Sequence, residues 1–245
     1  MMQLTYLYHS GFVLTAPGVT LVLDYFEDTE TATDGLLHRE FLHRPGRLYV
    51  LASHFHADHF NPEVLEWRQQ RPDIVYLLSA DIRRRRAQAR RTPGIVWLKK
   101  GDTYDDGTLR VRAFGSTDVG VSFCLELQGR TVFHAGDLNN WHWMDESPEE
   151  EWRGYERAFL RELADIRAAV PAVDVALFPA DPRLGREFLR GPRQWIEQVR
   201  TALFVPMHFD EGYAQAASLA PWAGGHGARV WCIRRRGEKI SVPPL

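Results

Sequence analysis

The stretch His54-Phe55-His56-Ala57-Asp58-His59 follows directly on an apolar run, Leu48–Ser53, that is typical of a buried strand. Side chains alternate in an extended segment, so the first two histidines and the aspartate are expected to point the same way. The turn that follows then brings His59 round to them. Imidazole nitrogens and a carboxylate are the donors that zinc prefers, and manganese or iron also accepts such a set. The stretch therefore predicts a metal site.

Three further acids or histidines stand at the ends of predicted strands. Asp24 ends a strand that begins at Thr20, Asp137 follows Thr131–Ala135 after one glycine, and His208 follows Ala202–Pro206. Ligands at the ends of several strands of one sheet meet at one edge, so we expect Asp137 and His208 to complete the site. Asp24 either ends its strand as a turn residue or orients a ligand histidine.

Other patterns predict where helices and turns lie. Asn61-Pro62-Glu63 is typical of a helix start, with asparagine as the cap. Ser147 and Glu150 predict a capping box for a helix that reaches about Ala168. Near the end, Arg229–Arg234 and Lys239–Val242 predict a hairpin around Arg236-Gly237. Strands that mix hairpins with helical crossovers predict two sheets covered by helices.

The order of these motifs resembles the metallo-β-lactamase-fold hydrolases over nearly the whole chain, with Gly136-Asp137 and Met207-His208 as the later motifs. The resemblance implies an α/β fold, an αββα sandwich of two mixed β-sheets with helices on the outer faces. It implies two divalent metal ions, Zn2+ or alternatively Mn2+ or iron. By residue, it implies His54 and His56 on the first ion, Asp58, His59 and His208 on the second, and Asp137 bridging both. The opening Tyr8–Phe12 looks most like the cytoplasmic branch that includes the ascorbate-6-phosphate lactonases.

One position departs from that family. Its usual Gly-His-Thr motif is replaced here by Gly115-Ser116-Thr117, which leaves the third ligand of the first ion open. Asp118 could donate a carboxylate oxygen, and His134 could donate a ring nitrogen. We favour His134, because a histidine inside an apolar strand needs a partner to offset its burial.

Two segments are candidates for binding substrate. Trp141-His142-Trp143 follows the predicted ligand Asp137, where rigid apolar rings could wall a pocket, although core packing and a structural histidine are equally consistent. Arg183 could hold a substrate carboxylate or phosphate, with an Asp–Arg turn as the alternative.

The balance of 30 Lys+Arg against 32 Asp+Glu, a net charge of −2, argues against a protein that coats nucleic acid or a membrane. The arginines at 83–86 and 90–91 favour a solvated helix, because they cover every side and no aromatic residues are interleaved. The two cysteines are far apart and the start lacks a signal-peptide pattern, so we expect a cytoplasmic protein. Its 245 residues, with no linker, predict one domain over residues 1–245.

These observations predict a metal-dependent hydrolase that acts on a small ester, lactone or phosphate ester, and the donor chemistry favours zinc as its metal. Asp58 is expected to ligate the metal and to orient the nucleophilic water. A nuclease acting on RNA or DNA through the arginine run is one alternative. The other is a non-catalytic metal-binding domain, favoured if Ser116 means that the first ion is lost.

Overall fold

The computed structural model describes residues 2–30 and 34–243. These residues form two compact units, one made of residues 2–30, 34–99 and 234–242 and the other of residues 100–233 and 243. The expectation of one domain over residues 1–245 stays a prediction. Within the described ranges, no helix combines the length and the apolar character that a membrane span requires.

The strands and helices lie close to where the sequence predicts most of them. The strands are β1 (Gln3–Tyr8), β2 (Gly11–Ala16), β3 (Val19–Leu23), β4 (Arg47–Ala52), β5 (Val75–Ser79), β6 (Ile95–Leu98), β7 (Thr103–Asp105), β8 (Leu109–Phe114), β9 (Ser122–Leu127), β10 (Arg130–His134), β11 (Ala172–Pro179), β12 (Arg200–Met207), β13 (Arg229–Val230) and β14 (Lys239–Ser241). The α-helices are α1 (Leu36–Arg39), α2 (Ala80–Arg85), α3 (Ala87–Arg91), α4 (Glu149–Ala169), α5 (Arg190–Gln198), α6 (Tyr213–Ala217) and α7 (Ala220–Gly225). Short 3-10 helices span Phe41–His43, Pro62–Gln69 and Pro182–Glu187.

The first unit contains a seven-stranded mixed sheet with the order β14-β1-β2-β3-β4-β5-β6. The strands from β3 to β6 are parallel neighbours, and the pairs formed by β14, β1, β2 and β3 are antiparallel. Because β3, β4 and β5 run the same way, their carboxyl ends share one edge. Asp24, the stretch from Ser53, and the start of α2 all leave the sheet there.

The second unit repeats this plan. Its sheet has the order β13-β12-β11-β10-β9-β8-β7, with parallel pairing from β10 to β13 and antiparallel pairing from β7 to β10. The parallel strands β10, β11 and β12 end just before Asp137, Asp181 and His208 respectively. The predicted class of two mixed β-sheets with helices is therefore confirmed.

The helix after the histidine-rich stretch is fixed at both its cap and its apolar face. The Asn61 side chain accepts a hydrogen bond from the Glu63 backbone N–H at 3.0 Å, as the sequence predicts for a cap. Val64, Leu65 and Trp67 are buried in the core of the first unit. This packing gives residues 54–59 a rigid support on their C-terminal side.

Two local predictions are wrong. The Ser147 capping box does not form, because the backbone N–H of Ser147 bonds to the Trp143 carbonyl in a preceding turn and α4 begins after Pro148. The C-terminal hairpin is also absent: β13 pairs with β12, whereas β14 pairs with β1 in the other sheet. Alternating patterns identify strands, but they do not specify which strand will be the partner.

Candidate metal centre

The six predicted principal ligands fall in both units. The first unit holds His54, His56, Asp58 and His59, and the second holds Asp137 and His208. The expectation that they stand at the edge of one sheet is wrong, because β4 belongs to the sheet of the first unit whereas β10 and β12 belong to the sheet of the second. Within each sheet, these residues follow the carboxyl ends of parallel strands.

Asp24 is a buried carboxylate that orients predicted ligands of the first unit. Its Oδ1 accepts a hydrogen bond from the Ser53 backbone N–H at 2.7 Å, and its Oδ2 lies 2.7 Å from Nδ1 of His59. A carboxylate oxygen only accepts, so Nδ1 of the neutral ring carries the proton and Nε2 keeps its lone pair for a metal. Of the two roles predicted for Asp24, its contacts favour that of orienting His59 over that of a turn residue.

A second chain of hydrogen bonds orients His54. The Ser53 hydroxyl donates to Oδ2 of Asp24 at 2.5 Å and lies 3.0 Å from Nδ1 of His54, from which it accepts. Nε2 of His54 then faces Nδ1 of His56 at 3.0 Å. One buried carboxylate thus fixes the ring orientation of two histidines, directly for His59 and through Ser53 for His54.

His9 joins the predicted ligands of the first unit. It lies in the turn between β1 and β2, and its Nε2 is 3.3 Å from Oδ2 of Asp58. Ligand atoms of His9, Asp58 and His59 all lie within 4.8 Å of one another. His9 is not among the ligands predicted from the sequence, because the pattern at Tyr8-His9-Ser10 does not show that the turn folds back onto residue 58.

In the second unit, Asp137 and His208 form a corresponding pair. Nε2 of His208 is 3.3 Å from Oδ1 of Asp137, and its Nδ1 is 3.0 Å from Oδ2 of Asp181. Burial alone would raise the pKa of Asp181, but hydrogen bonds with His208 and Arg183 outweigh it and lower the pKa to about 2. Asp181 is therefore a carboxylate that orients His208, as Asp24 orients His59.

Arg183 binds that same carboxylate. Its Nε and Nη2 both donate to Asp181, which fits the Asp–Arg turn weighed as the alternative to substrate binding. The Arg183 side chain is also exposed, which leaves it accessible to a substrate. Contact with a substrate stays a prediction.

The loop that departs from the family pattern is held by its own hydrogen bonds. Thr117 Oγ1 donates to the Asn139 carbonyl at 2.6 Å and accepts from the Asn139 N–H at 3.0 Å. Carboxylate oxygens of Asp118 and Asp137 lie within 4.8 Å of each other. His134 is fully buried, and its Nδ1 accepts a hydrogen bond from the Gly136 N–H at 3.1 Å.

The aromatic segment after Asp137 divides into two roles. Trp141 donates from Nε1 to the Asp137 carbonyl, its ring centroid lies 5.4 Å from that of His208, and it stacks on Trp143 at 6.4 Å. His142 is buried and uses both ring nitrogens on the backbone of Glu187 and Met144. Burial also lowers the pKa of His142. Trp141 therefore lies beside His208 and Trp143 stacks on Trp141, while His142 fixes the loop.

Several residues of the site have a left-handed backbone. Asp24, His9, Trp143 and His208 have φ values of 41°, 56°, 44° and 62°. Residues other than glycine adopt this region at a cost and do so mostly where the surrounding structure needs it, often at functional sites. The strain thus coincides with the residues that place the donor atoms.

The donor atoms suit metal ions in chemistry and in spacing. Two ligands of a tetrahedral ion with bonds of about 2.0–2.1 Å are separated by about 3.3 Å. The His9–Asp58, His54–His56 and Asp137–His208 atom pairs lie 3.3, 3.0 and 3.3 Å apart. In His54, His59 and His208, Nδ1 is hydrogen-bonded to Ser53, Asp24 and Asp181 respectively, so Nε2 is the nitrogen that faces a metal. The donor set therefore fits divalent metals.

A family model described as the Beta-lactamase superfamily domain matches residues 3–151, which cover more than half of the chain. This chain belongs to the beta-lactamase superfamily. It is 24% identical, over 98% of its own length and 100% of the relative's, to a protein named metal-dependent hydrolase from Symbiobacterium thermophilum.

Solved structures show that the fold is the metallo-β-lactamase fold. Igni18, described as a metallo hydrolase from the archaeon Ignicoccus hospitalis, has a TM-score of 0.68 at 18% identity and covers 98% of this chain and 97% of its own. CmlA, described as a diiron beta-hydroxylase from Streptomyces venezuelae, has a TM-score of 0.67 at 14% identity. The match covers 98% of this chain and 54% of the CmlA chain. One fold thus carries hydrolytic and oxidative chemistry, so the activity depends on the residues of the site and not on the fold alone.

Proposed function

We propose that this protein hydrolyses a small ester, lactone or phosphate ester in the cytoplasm with the help of two divalent metal ions, most simply Zn2+. Its family membership and the relative named metal-dependent hydrolase support metal-dependent hydrolysis as the general activity. The observation that carries the proposal is the hydrogen bonding of the histidines, because buried carboxylates hold the outer nitrogens of His59 and His208.

The ligand assignment extends the one implied by the family resemblance. His54, His56 and the bridging Asp137 would hold the first ion, with Asp118 in place of the missing histidine. The geometry favours Asp118 over His134, since its carboxylate lies near that of Asp137 whereas Nδ1 of His134 already accepts from Gly136. Asp58, His59, His208 and the bridge would hold the second ion, and His9 stands beside Asp58.

Asp58 is the residue proposed to act in catalysis. Its side chain is 38% exposed, far more than that of His59 at 0%, so it can reach both a ligand position and a water molecule. A bound divalent ion lowers the pKa of water and polarises a carbonyl or phosphoryl oxygen. Asp58 would orient that water and accept its proton, and His9 would keep the carboxylate in place from 3.3 Å.

The tryptophans favour a substrate with an apolar part. Trp141 is fixed by its hydrogen bond to the Asp137 carbonyl, and its stacking on Trp143 makes a rigid apolar surface beside His208. Such surfaces bind the uncharged part of a small molecule while polar groups fix its reactive end. His142 would support the two tryptophans through its bonds to the backbone of the loop. Arg183 would bind an anionic group of the substrate while its guanidinium stays bonded to Asp181.

The alternatives are less well supported. A nuclease acting on RNA or DNA would rely on the arginine run, but Arg86 is already engaged with the protein backbone. A non-catalytic metal-binding domain would follow if the first ion were lost at Ser116, but Asp118 supplies a donor two residues later. Nucleic acid and membranes are therefore not proposed as partners.

The test is to purify the protein without added metal, measure its metal content, and screen it against lactones, carboxylic esters, phosphodiesters and single-stranded RNA. The proposal expects turnover of a small ester or lactone that a chelator abolishes and that Asp58→Ala lacks. The matched control is Asp73→Ala, which removes an exposed aspartate of the same unit. Turnover of RNA alone would favour the nuclease, and metal without any turnover would favour the binding domain.

A further inference from the structure

The arginine run after β5 is not one helix. Helix α2 ends at Arg85 and α3 begins at Ala87, and Arg86 between them is extended, with φ −117° and ψ 103°. Arg83 and Arg84 are exposed, whereas the Arg86 side chain turns back toward the histidine-rich stretch. The expectation of one uniformly solvated arginine helix is thus wrong at Arg86.

Arg86 binds the backbone between two predicted metal ligands. Its Nε and Nη2 donate to the carbonyl oxygen of Phe55 at 3.0 and 2.6 Å. That carbonyl belongs to the peptide that joins Phe55 to His56. Two donors from one planar guanidinium restrict the direction of the carbonyl more than a single bond does.

Asp81, in the first turn of α2, binds the peptide on the other side of Phe55. Its Oδ2 accepts a hydrogen bond from the Phe55 N–H at 3.0 Å, and that N–H belongs to the peptide that joins His54 to Phe55. Asp81 is 8% exposed and enters from the end of β5, the parallel neighbour of β4. A carboxylate–amide bond shielded from water is stronger than its exposed counterpart.

We propose that Asp81 and Arg86 form a clamp on Phe55 that sets the directions of His54 and His56, and so tunes the affinity of the first metal position. Both peptides that connect these two ligands are held, and each by a charged side chain. Rotation of either peptide would swing one imidazole away from the other, which lies 3.0 Å away. Asp81 and Arg86 are positioning residues, and the inference rests on the proposed function because it takes His54 and His56 as ligands.

The clamp predicts a specific ranking of variants in metal affinity. Asp81→Ala and Arg86→Gln should raise the dissociation constant for Zn2+ about 10- to 100-fold, the range found when partners that orient ligands are removed. Asp81→Asn keeps an acceptor oxygen and should stay within about threefold of the wild type. The matched controls are Arg84→Gln, on α2 with Asp81, and Asp73→Ala. Both change exposed positions and should leave the dissociation constant unchanged.

The experiment measures Zn2+ affinity by competition with a chromophoric chelator and amide hydrogen exchange of the metal-free proteins over residues 53–59. The clamp expects weaker Zn2+ binding and faster exchange for Asp81→Ala and Arg86→Gln, but not for the controls. If Asp81→Ala fails to fold, judged by circular dichroism, Arg86→Gln decides the question. Equal affinity and equal exchange for Arg86→Gln and Arg84→Gln would overturn the clamp. A wild type that binds no Zn2+ would overturn the proposed function instead, and the exchange comparison would still decide the clamp.

Discussion

Oδ2 of Asp24 lies 2.7 Å from Nδ1 of His59, although 35 residues separate them in the chain. The contact arises because β3 and β4 are parallel neighbours that end at the same edge of the sheet. It commits Nδ1 to hydrogen bonding and leaves Nε2 as the donor for a metal. Asp24 is only 1% exposed, so this contact is shielded from water.

Asp24→Asn should weaken metal binding without removing a ligand. The Asp24 carboxylate accepts hydrogen bonds from the Ser53 N–H, the Ser53 hydroxyl and His59. An amide has only one acceptor oxygen, so at least one of these three donors loses its partner in Asp24→Asn. We expect the dissociation constant for Zn2+ to rise about 10- to 100-fold. Competition with a chelator measures it, with Asp73→Asn as the control, and an unchanged constant would contradict the orienting role.

Asp58→Ala should abolish hydrolysis and leave the fold intact. The side chain is 38% exposed, so its removal should change the free energy of unfolding by less than about 1 kcal/mol. Initial rates on the substrate found by the screen and thermal unfolding of the metal-free protein measure the two effects. Activity near the wild-type level would refute the catalytic role.

The exposed arginines provide a test of the nuclease alternative. Replacing Arg83, Arg84 and Arg90 together with glutamine should leave the turnover of a small ester unchanged, because these side chains are exposed. Arg86 is kept, since it binds Phe55. If the run bound a polynucleotide instead, affinity for single-stranded RNA would fall. Its log–log salt slope would then flatten by roughly one for each phosphate that the variant no longer binds.

Local sequence predicts where the candidate donors lie along the chain, but not the contacts that orient them. The histidine-rich stretch, Asp137 and His208 stand where strands end, and that position can be derived from alternation and turn residues. Asp181 and Asp81 look like ordinary residues of a turn and a helix start. Their importance depends on neighbouring parallel strands that are far apart in sequence, such as β11 beside β12.

Competing hydrogen bonds explain the errors at Ser147 and Arg86. Ser147 and Glu150 have the spacing of a capping box, but the Ser147 N–H donates its hydrogen bond to the Trp143 carbonyl in the preceding turn. The arginine run has helical composition, yet Arg86 leaves the helix because a carbonyl at residue 55 accepts two of its N–H groups. In the first case the competing bond comes from a turn four residues back in the chain, and in the second it comes from a residue 31 positions away. Both outweigh the local helical pattern.

His38 predicts a pH dependence of stability that is separate from the metal ligands. Hydrogen bonds to Asp28 and Glu63, at 2.8 and 2.6 Å, raise the pKa of His38 to about 9. A raised folded-state pKa contributes stability that is fully present below about pH 6.5 and is lost as the pH rises through about 9. The shift corresponds to about 3 kcal/mol for a largely buried ring.

Chemical unfolding of metal-free protein between pH 6 and pH 10 measures this contribution. His38→Gln should lower the free energy of unfolding most at pH 6, and its difference from the wild type should shrink by pH 10. His43→Gln, at an exposed histidine after α1, is the control. A difference that is the same at both pH values would show that His38 contributes packing rather than charge.

The proposed two-metal hydrolase is tested best by measuring how many metal ions the protein holds when it is purified without added metal, and where they lie. Elemental analysis gives the number, and anomalous scattering from crystals gives the positions. We predict two ions per chain, one bound by His54, His56 and Asp118 and one by Asp58, His59 and His208, with Asp137 between them. Asp118→Ala should lose one ion, whereas His134→Ala should keep both. Full occupancy of both positions in Asp118→Ala would contradict its assignment as the missing ligand. A wild type with no metal at these residues would contradict the proposed hydrolase itself.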